Sequence, residues 1–118
     1  MGLNVTHLER RIGSLVETDL ETLLSGEAVQ EIRDLLEERG VLVFRGCEMD
    51  DEQQLAFTRT FGDVYDAKSG AVYKVSFDKK DSPDHWHYSF GTMSWHIDRT
   101  DTDLPPFASI LRGVRLAP

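Results

Sequence analysis

Cysteine is almost absent from these 118 residues: the single Cys47 rules out an internal disulfide and fits a reducing compartment, so a cytoplasmic location is expected. Long apolar runs are missing too. The longest, Val41-Leu42-Val43-Phe44, is far too short to cross a bilayer. The opening Met1-Gly2-Leu3-Asn4-Val5 has neither a basic nor an apolar region of the kind that makes a signal peptide, so none is expected. Basic residues are scarce, 13 against 21 acidic, and the net charge of −8 argues against nucleic acid or an anionic membrane as partner. A locally positive pocket for a small anion remains compatible with that balance. No Gly-rich phosphate loop, internal repeat, low-complexity tract or Ser/His/Asp nucleophile pattern occurs. Against these absences stand 40% hydrophobic and 29% charged residues, an ordinary globular composition with enough apolar content for one modest core, hence a single domain over 1–118.

Periodicity places the elements. Residues 3–8 and 11–17 read as two short extended pieces around Glu9-Arg10. Thr18 and Glu21 have capping-box spacing for a short helical turn, with a plain loop as the alternative. Ser25 is the expected N-cap of a helix over 26–39, with Ala28, Val29, Ile32, Leu35 and Leu36 on its apolar side and Gly40 at its end. Its Glu31, Arg33, Asp34, Glu37, Glu38 and Arg39 read as a solvated face. Val41–Arg45 suits a strand buried on both faces. Asp50, with Gln53 as reciprocal partner, caps a second helix whose buried side is marked by Leu55, Ala56, Phe57 and Phe61, and Gly62 stops it. Cys47 reads as a small structural residue. Residues 71–77 alternate as a strand, 78–84 form a polar turn, and Pro105-Pro106 forces extended backbone ahead of a final strand, 107–115.

The chemistry concentrates in Ser94-Trp95-His96-Ile97-Asp98-Arg99-Thr100. In an extended segment His96 and Asp98 share a face, roughly 6.5–7 Å apart at Cα, and one nitrogen and one oxygen can converge on a metal ion. Two histidines and one carboxylate are the usual ligands of non-heme Fe(II) oxygenases. A three-residue His-x-Asp also arises by chance, and the spacing alone leaves both readings open. His85 and His87 form a competing His-x-His pair, read as pocket or packing residues ahead of ligands. Asp101 and Asp103 could serve a hard cation, or simply be a solvated loop.

The wider pattern decides between these readings. Trp95-His96-Ile97-Asp98, then Leu104–Arg112 with its Pro-Pro pair and small apolar residues, then Arg115–Pro118, resembles the TauD/TfdA family of Fe(II)- and 2-oxoglutarate-dependent dioxygenases. Upstream, Arg11-Ile12-Gly13, Val16–Leu20, and the helix running from Asp50 to Phe61-Gly62 resemble it as well. The resemblance covers nearly the whole chain, but only the N-terminal part of such an enzyme. It implies an α+β chain: part of a double-stranded β-helix (jelly roll) with two flanking helices and an incomplete barrel.

The resemblance further implies that His96 and Asp98 bind Fe(II) and that 2-oxoglutarate and O₂ are co-substrates. The product is a hydroxylated small organic substrate, with succinate and CO₂. Sulfonate-using members carry a His and a Tyr shortly after the Phe-Gly; here those positions fall near Ala67 and Gly70, which argues against taurine. Tyr65, Lys68 and Tyr73 are the nearby substrate candidates, and Thr92 matches a position where some members place an amide that touches substrate. The family's Gly-Gly-Asp-Thr-like segment, second His ligand and 2-oxoglutarate-binding Arg have no counterpart in these residues. The expectation is therefore a fragment that is inactive alone. The alternatives are a non-catalytic acidic interaction domain, or one half of a split enzyme completed by a separate C-terminal polypeptide. A homo-oligomer is also open.

Overall fold

The computed structural model describes residues 2–65, 71–76, 78–80 and 93–116. They belong to two compact units, Met1–Val64 and Tyr65–Pro118.

In the first unit, β1 (Asn4–His7) and β2 (Ser14–Glu17) pair antiparallel, with Val5 opposite Val16. The turn between them closes through the Leu8 N–H donating to the Gly13 carbonyl at 3.0 Å. Gly13 has φ +83°, a left-handed conformation that glycine adopts without steric cost. The chain then crosses over through α1 (Leu20–Ser25) and α2 (Val29–Arg39) to β3 (Leu42–Phe44), which lies parallel to β2 with Leu15 opposite Val43. Parallel neighbours require such a crossover. The sheet order is β1-β2-β3, and α3 (Asp51–Thr60) follows.

The core is made by Val16, Leu23, Ala28, Ile32 and Phe57, all buried. Phe57 sits edge-to-face with Phe44 on the sheet at 6.0 Å and with Phe61 at 5.2 Å. Such pairs add about 0.5–1.5 kcal/mol beyond the area they bury. Ala56, expected on the buried side of α3, is exposed. It precedes Phe57 by one residue, which turns it about 100° round the helix.

Local sequence rules set most helix ends. Gly40 caps α2 at φ +69°, its N–H donating to Leu36 O at 2.7 Å. Asp50 and Gln53 form the expected reciprocal capping box. Two expectations fail. The first helical turn is capped by Asp19, not Thr18: the Asp19 carboxylate accepts from the Thr22 N–H at 2.7 Å. Those bonds from the Thr22 backbone and hydroxyl hold its carboxyl below the ordinary value of 3.8. Ser25 does not open α2 either. It closes α1, its hydroxyl donating to Thr22 O, and Gly26 at φ +77° separates α1 from α2, which starts at Val29 rather than at 26. A side chain at 26 would meet the Thr60 methyl of α3 at 3.4 Å.

The larger surprise is Arg39. Glu31, Asp34, Glu37 and Glu38 are exposed as expected, but Arg39 is 6% exposed. Its guanidinium donates to the carbonyls of Glu9, Arg10 and Gly13 and to the Ser14 hydroxyl. Its own carbonyl accepts from Gly13 N–H at 2.9 Å. The end of α2 thus grips the turn between β1 and β2, and the turn's carbonyls are satisfied by one planar fork. Arg33 also leaves the solvated face, donating to Phe61 O at 3.0 Å.

The strand β3 is half-buried, not buried on both faces, because among the described residues it has a single neighbour, β2. Cys47 lies beside it with its thiol 3.6 Å from Thr18 O. Burial, with the charge of Asp19 behind it, pushes that thiol's pKa up, the direction of an inert structural cysteine. No described helix is long and apolar enough to cross a membrane.

The second unit contains no helix and no strand among its described residues. The strands expected over 71–77 and 107–115 are therefore absent where they are described. Alternation supplies two faces for such a segment, but a strand also needs a neighbour's backbone about 4.8 Å away in a ladder, and the sheet formed by the described residues is β1-β2-β3.

Candidate metal centre

Residues 95–97 are irregular and 98–101 turn, so His96 and Asp98 do not converge by sharing a strand face. They converge nonetheless, with His96 Nε2 3.3 Å from Asp98 Oδ1. Arg99, immediately after, has φ +57°, and this left-handed residue bends the chain away directly behind the carboxylate. Thr102 closes the turn through its hydroxyl on Arg99 O at 2.8 Å.

Each member of the pair is held by its other polar atom. His96 Nδ1 lies 2.7 Å from the Ser94 carbonyl. A carbonyl only accepts, so Nδ1 carries the hydrogen there and Nε2 is left to face Asp98. Asp98 Oδ2 accepts from the Ser109 hydroxyl at 2.8 Å, which leaves Oδ1 to face His96. Both side chains are about half exposed, at 46% and 54%. The sequence did not mark Ser109 for this role; its only signal is a hydroxyl inside an otherwise apolar stretch.

A neutral imidazole nitrogen and a carboxylate oxygen are a donor set that suits Fe(II). Metal–ligand bonds of about 2.1 Å near a right angle would place the two donors about 3 Å apart, close to the 3.3 Å seen. A hydrogen-bonded His–Asp pair has a similar spacing. Among the described residues no group of three His, Cys, Asp or Glu is poised around a common point, so neither a third ligand nor an Asp101–Asp103 cation site is assembled there. Asp101 instead lies 3.9 Å from the Arg99 guanidinium.

Of the substrate candidates, Tyr65 is 55% exposed and carries the Arg99 guanidinium 4.2 Å above its ring. That contact places Tyr65 beside the turn following Asp98. Tyr73 is 43% exposed. Lys68, Thr92 and the competing pair His85 and His87 lie outside the described residues.

Comparison with known proteins agrees with the motif. Residues 4–118 match the family described as "Taurine catabolism dioxygenase TauD, TfdA family". An alpha-ketoglutarate-dependent 2,4-dichlorophenoxyacetate dioxygenase of Cupriavidus pinatubonensis is 46% identical over 60 residues, covering 51% of this chain and 20% of the relative. An alkylsulfatase of Acinetobacter baylyi is 32% identical over 119 residues, covering 95% of this chain and 35% of the relative. A crystal structure of AAD-2 in complex with Mn(II) and N-oxalylglycine aligns with TM-score 0.49 at 30% identity, over 53% of this chain and 25% of that one. The chain thus spans between a fifth and about a third of the curated relatives it matches. With the match running over almost every residue and through the His96–Asp98 pair, the chain belongs to the TauD/TfdA family of dioxygenases.

Proposed function

We propose that these residues form the N-terminal part of an Fe(II)- and 2-oxoglutarate-dependent dioxygenase that hydroxylates a small organic substrate. The observation that carries this reading is the facing pair, His96 Nε2 and Asp98 Oδ1 at 3.3 Å, inside a family match over residues 4–118. His96 and Asp98 would supply two of the iron's ligands. Iron with 2-oxoglutarate and O₂ supplies the oxidising power, and succinate and CO₂ are released. The chain's own contribution is positioning: the Ser94 carbonyl selects the imidazole tautomer, and the turn through Arg99 presents the carboxylate. Tyr65, Lys68, Tyr73 and Thr92 are the residues proposed to meet substrate.

A third protein ligand and a cation for the distal carboxylate of 2-oxoglutarate are still required. We propose that they come with the strands that close the jelly roll, from a longer polypeptide or a complementing one. Trp95, Ile97, Leu104, Leu111, Val114 and Leu116 support this, with exposures of 78% to 105%. Large apolar side chains left exposed over residues 95–116 are what a segment awaiting further strands would present.

The test is succinate formation from 2-oxoglutarate by the purified 118 residues with Fe(II), ascorbate and O₂. No turnover is expected from this chain alone, and turnover is expected once the missing part is supplied. Succinate produced by the chain alone at an enzyme-like rate refutes its incompleteness. A folded chain that stays indifferent to iron and 2-oxoglutarate even when completed would favour a non-catalytic acidic interaction domain.

A further inference from the structure

We infer that Ser109 is a positioning residue for the metal site: its hydroxyl fixes which oxygen of Asp98 is presented to the ion. This rests on the dioxygenase reading above and deepens it. Asp98 sits in a turn with half its side chain exposed, and rotation about its χ angles would otherwise exchange the two carboxylate oxygens or swing them away from His96. Ser109 lies eleven residues further on and donates to Oδ2 at 2.8 Å, the length of a good O–H···O bond. With Oδ2 occupied, Oδ1 is the oxygen that faces Nε2. His96 is fixed in the matching way, its Nδ1 bound by the Ser94 carbonyl at 2.7 Å.

The two anchors differ in kind. The one on His96 is backbone and no substitution removes it directly. The one on Asp98 is a single side-chain hydroxyl. Hydrogen bonds from outside the ligand set orient ligands and typically carry about 10- to 100-fold in metal affinity. Ser109 also ties the Asp98 turn to the segment after Pro105-Pro106, so the distance between these two stretches becomes part of the site.

The experiment is a titration of the purified protein with Mn(II) alone, comparing Ser109→Ala, Ser109→Thr and Asp98→Ala with the unsubstituted protein. Asp98→Ala is expected to abolish binding. Ser109→Ala is expected to weaken it by about 10- to 100-fold, and Ser109→Thr, which keeps the hydroxyl, to restore it to within about threefold. Equal affinity for Ser109→Ala and the unsubstituted protein, with Asp98→Ala still inactive in binding, overturns the role of Ser109 and leaves the metal site standing. Equal loss in Ser109→Ala and Ser109→Thr overturns it as well, because the hydroxyl would then not be the operative group. Undiminished binding by Asp98→Ala overturns the ligand assignment itself.

Discussion

The two units of this chain treat apolar side chains in opposite ways. Residues up to 64 gather Val16, Leu23, Ile32 and Phe57 into a core between a small mixed sheet and its helices. The stretch from 93 to 116 leaves Trp95, Leu104, Leu111 and Leu116 at 80% exposure or more. The first region contains the partners its side chains need. The second holds the chemically distinctive residues but, among the described residues, few of the neighbours that would bury what surrounds them. Stability and function are therefore separable along the sequence, and substitutions should report on them separately.

The largest difference is expected between two aromatic truncations. Phe57→Ala should destabilise the chain by about 3–4 kcal/mol, as for other buried Phe. Trp95→Ala, at an exposed site, should stay within about 0.5 kcal/mol. Thermal or urea unfolding of the 118 residues measures both. A cost at Trp95 comparable to that at Phe57 would break the contrast. In a completed enzyme Trp95→Ala is expected to become costly, which would sharpen it.

Next comes Arg39→Met, which keeps the stem and deletes the fork. It leaves the part-buried carbonyls of Glu9 and Arg10, and the buried one of Gly13, without the guanidinium. A loss of about 2–3 kcal/mol is expected from hydrogen bonds to a charged group, read as a lowered unfolding midpoint. A neutral outcome would mean that the turn holds without its clamp.

The smallest effect is acid sensitivity at Asp19. Its carboxyl is held below 3.8 in the folded chain by its bonds from Thr22. A depressed folded value means the unfolded chain binds the proton more readily. The stabilisation is fully present above the unfolded value and fades as pH falls through 3.8 towards the lower folded one. The gap in unfolding midpoint between the unsubstituted chain and Asp19→Asn should therefore narrow between pH 5.5 and pH 3. A gap that does not change with pH would show that the cap's charge contributes nothing.

What could be read in advance follows the same division. Gly40 and the Asp50–Gln53 box were legible because a cap is decided within four residues. Arg39 was not: a basic residue in a last helical turn reads as solvated and favourable to the helix dipole, and its carbonyl partners lie about thirty residues earlier in the chain. The later start of α2 was hidden because Ser25 reads as an N-cap, whereas it closes α1. In the candidate site, the motif named His96 and Asp98 without their conformation. A shared strand face was the wrong route to a pair that a turn brings together. Ser109 escaped notice because its partner is tertiary, and a lone serine carries no periodicity.

The left-handed backbone at Arg99 has a consequence for sequence tolerance. With φ at +57°, position 99 admits glycine without strain and asparagine or aspartate at little cost, while a β-branched residue there is strained. Variation at this position is thus filtered first by backbone shape and only second by the guanidinium above Tyr65. A library randomised at 99 alone and selected for metal binding should return glycine, asparagine and aspartate ahead of valine or isoleucine.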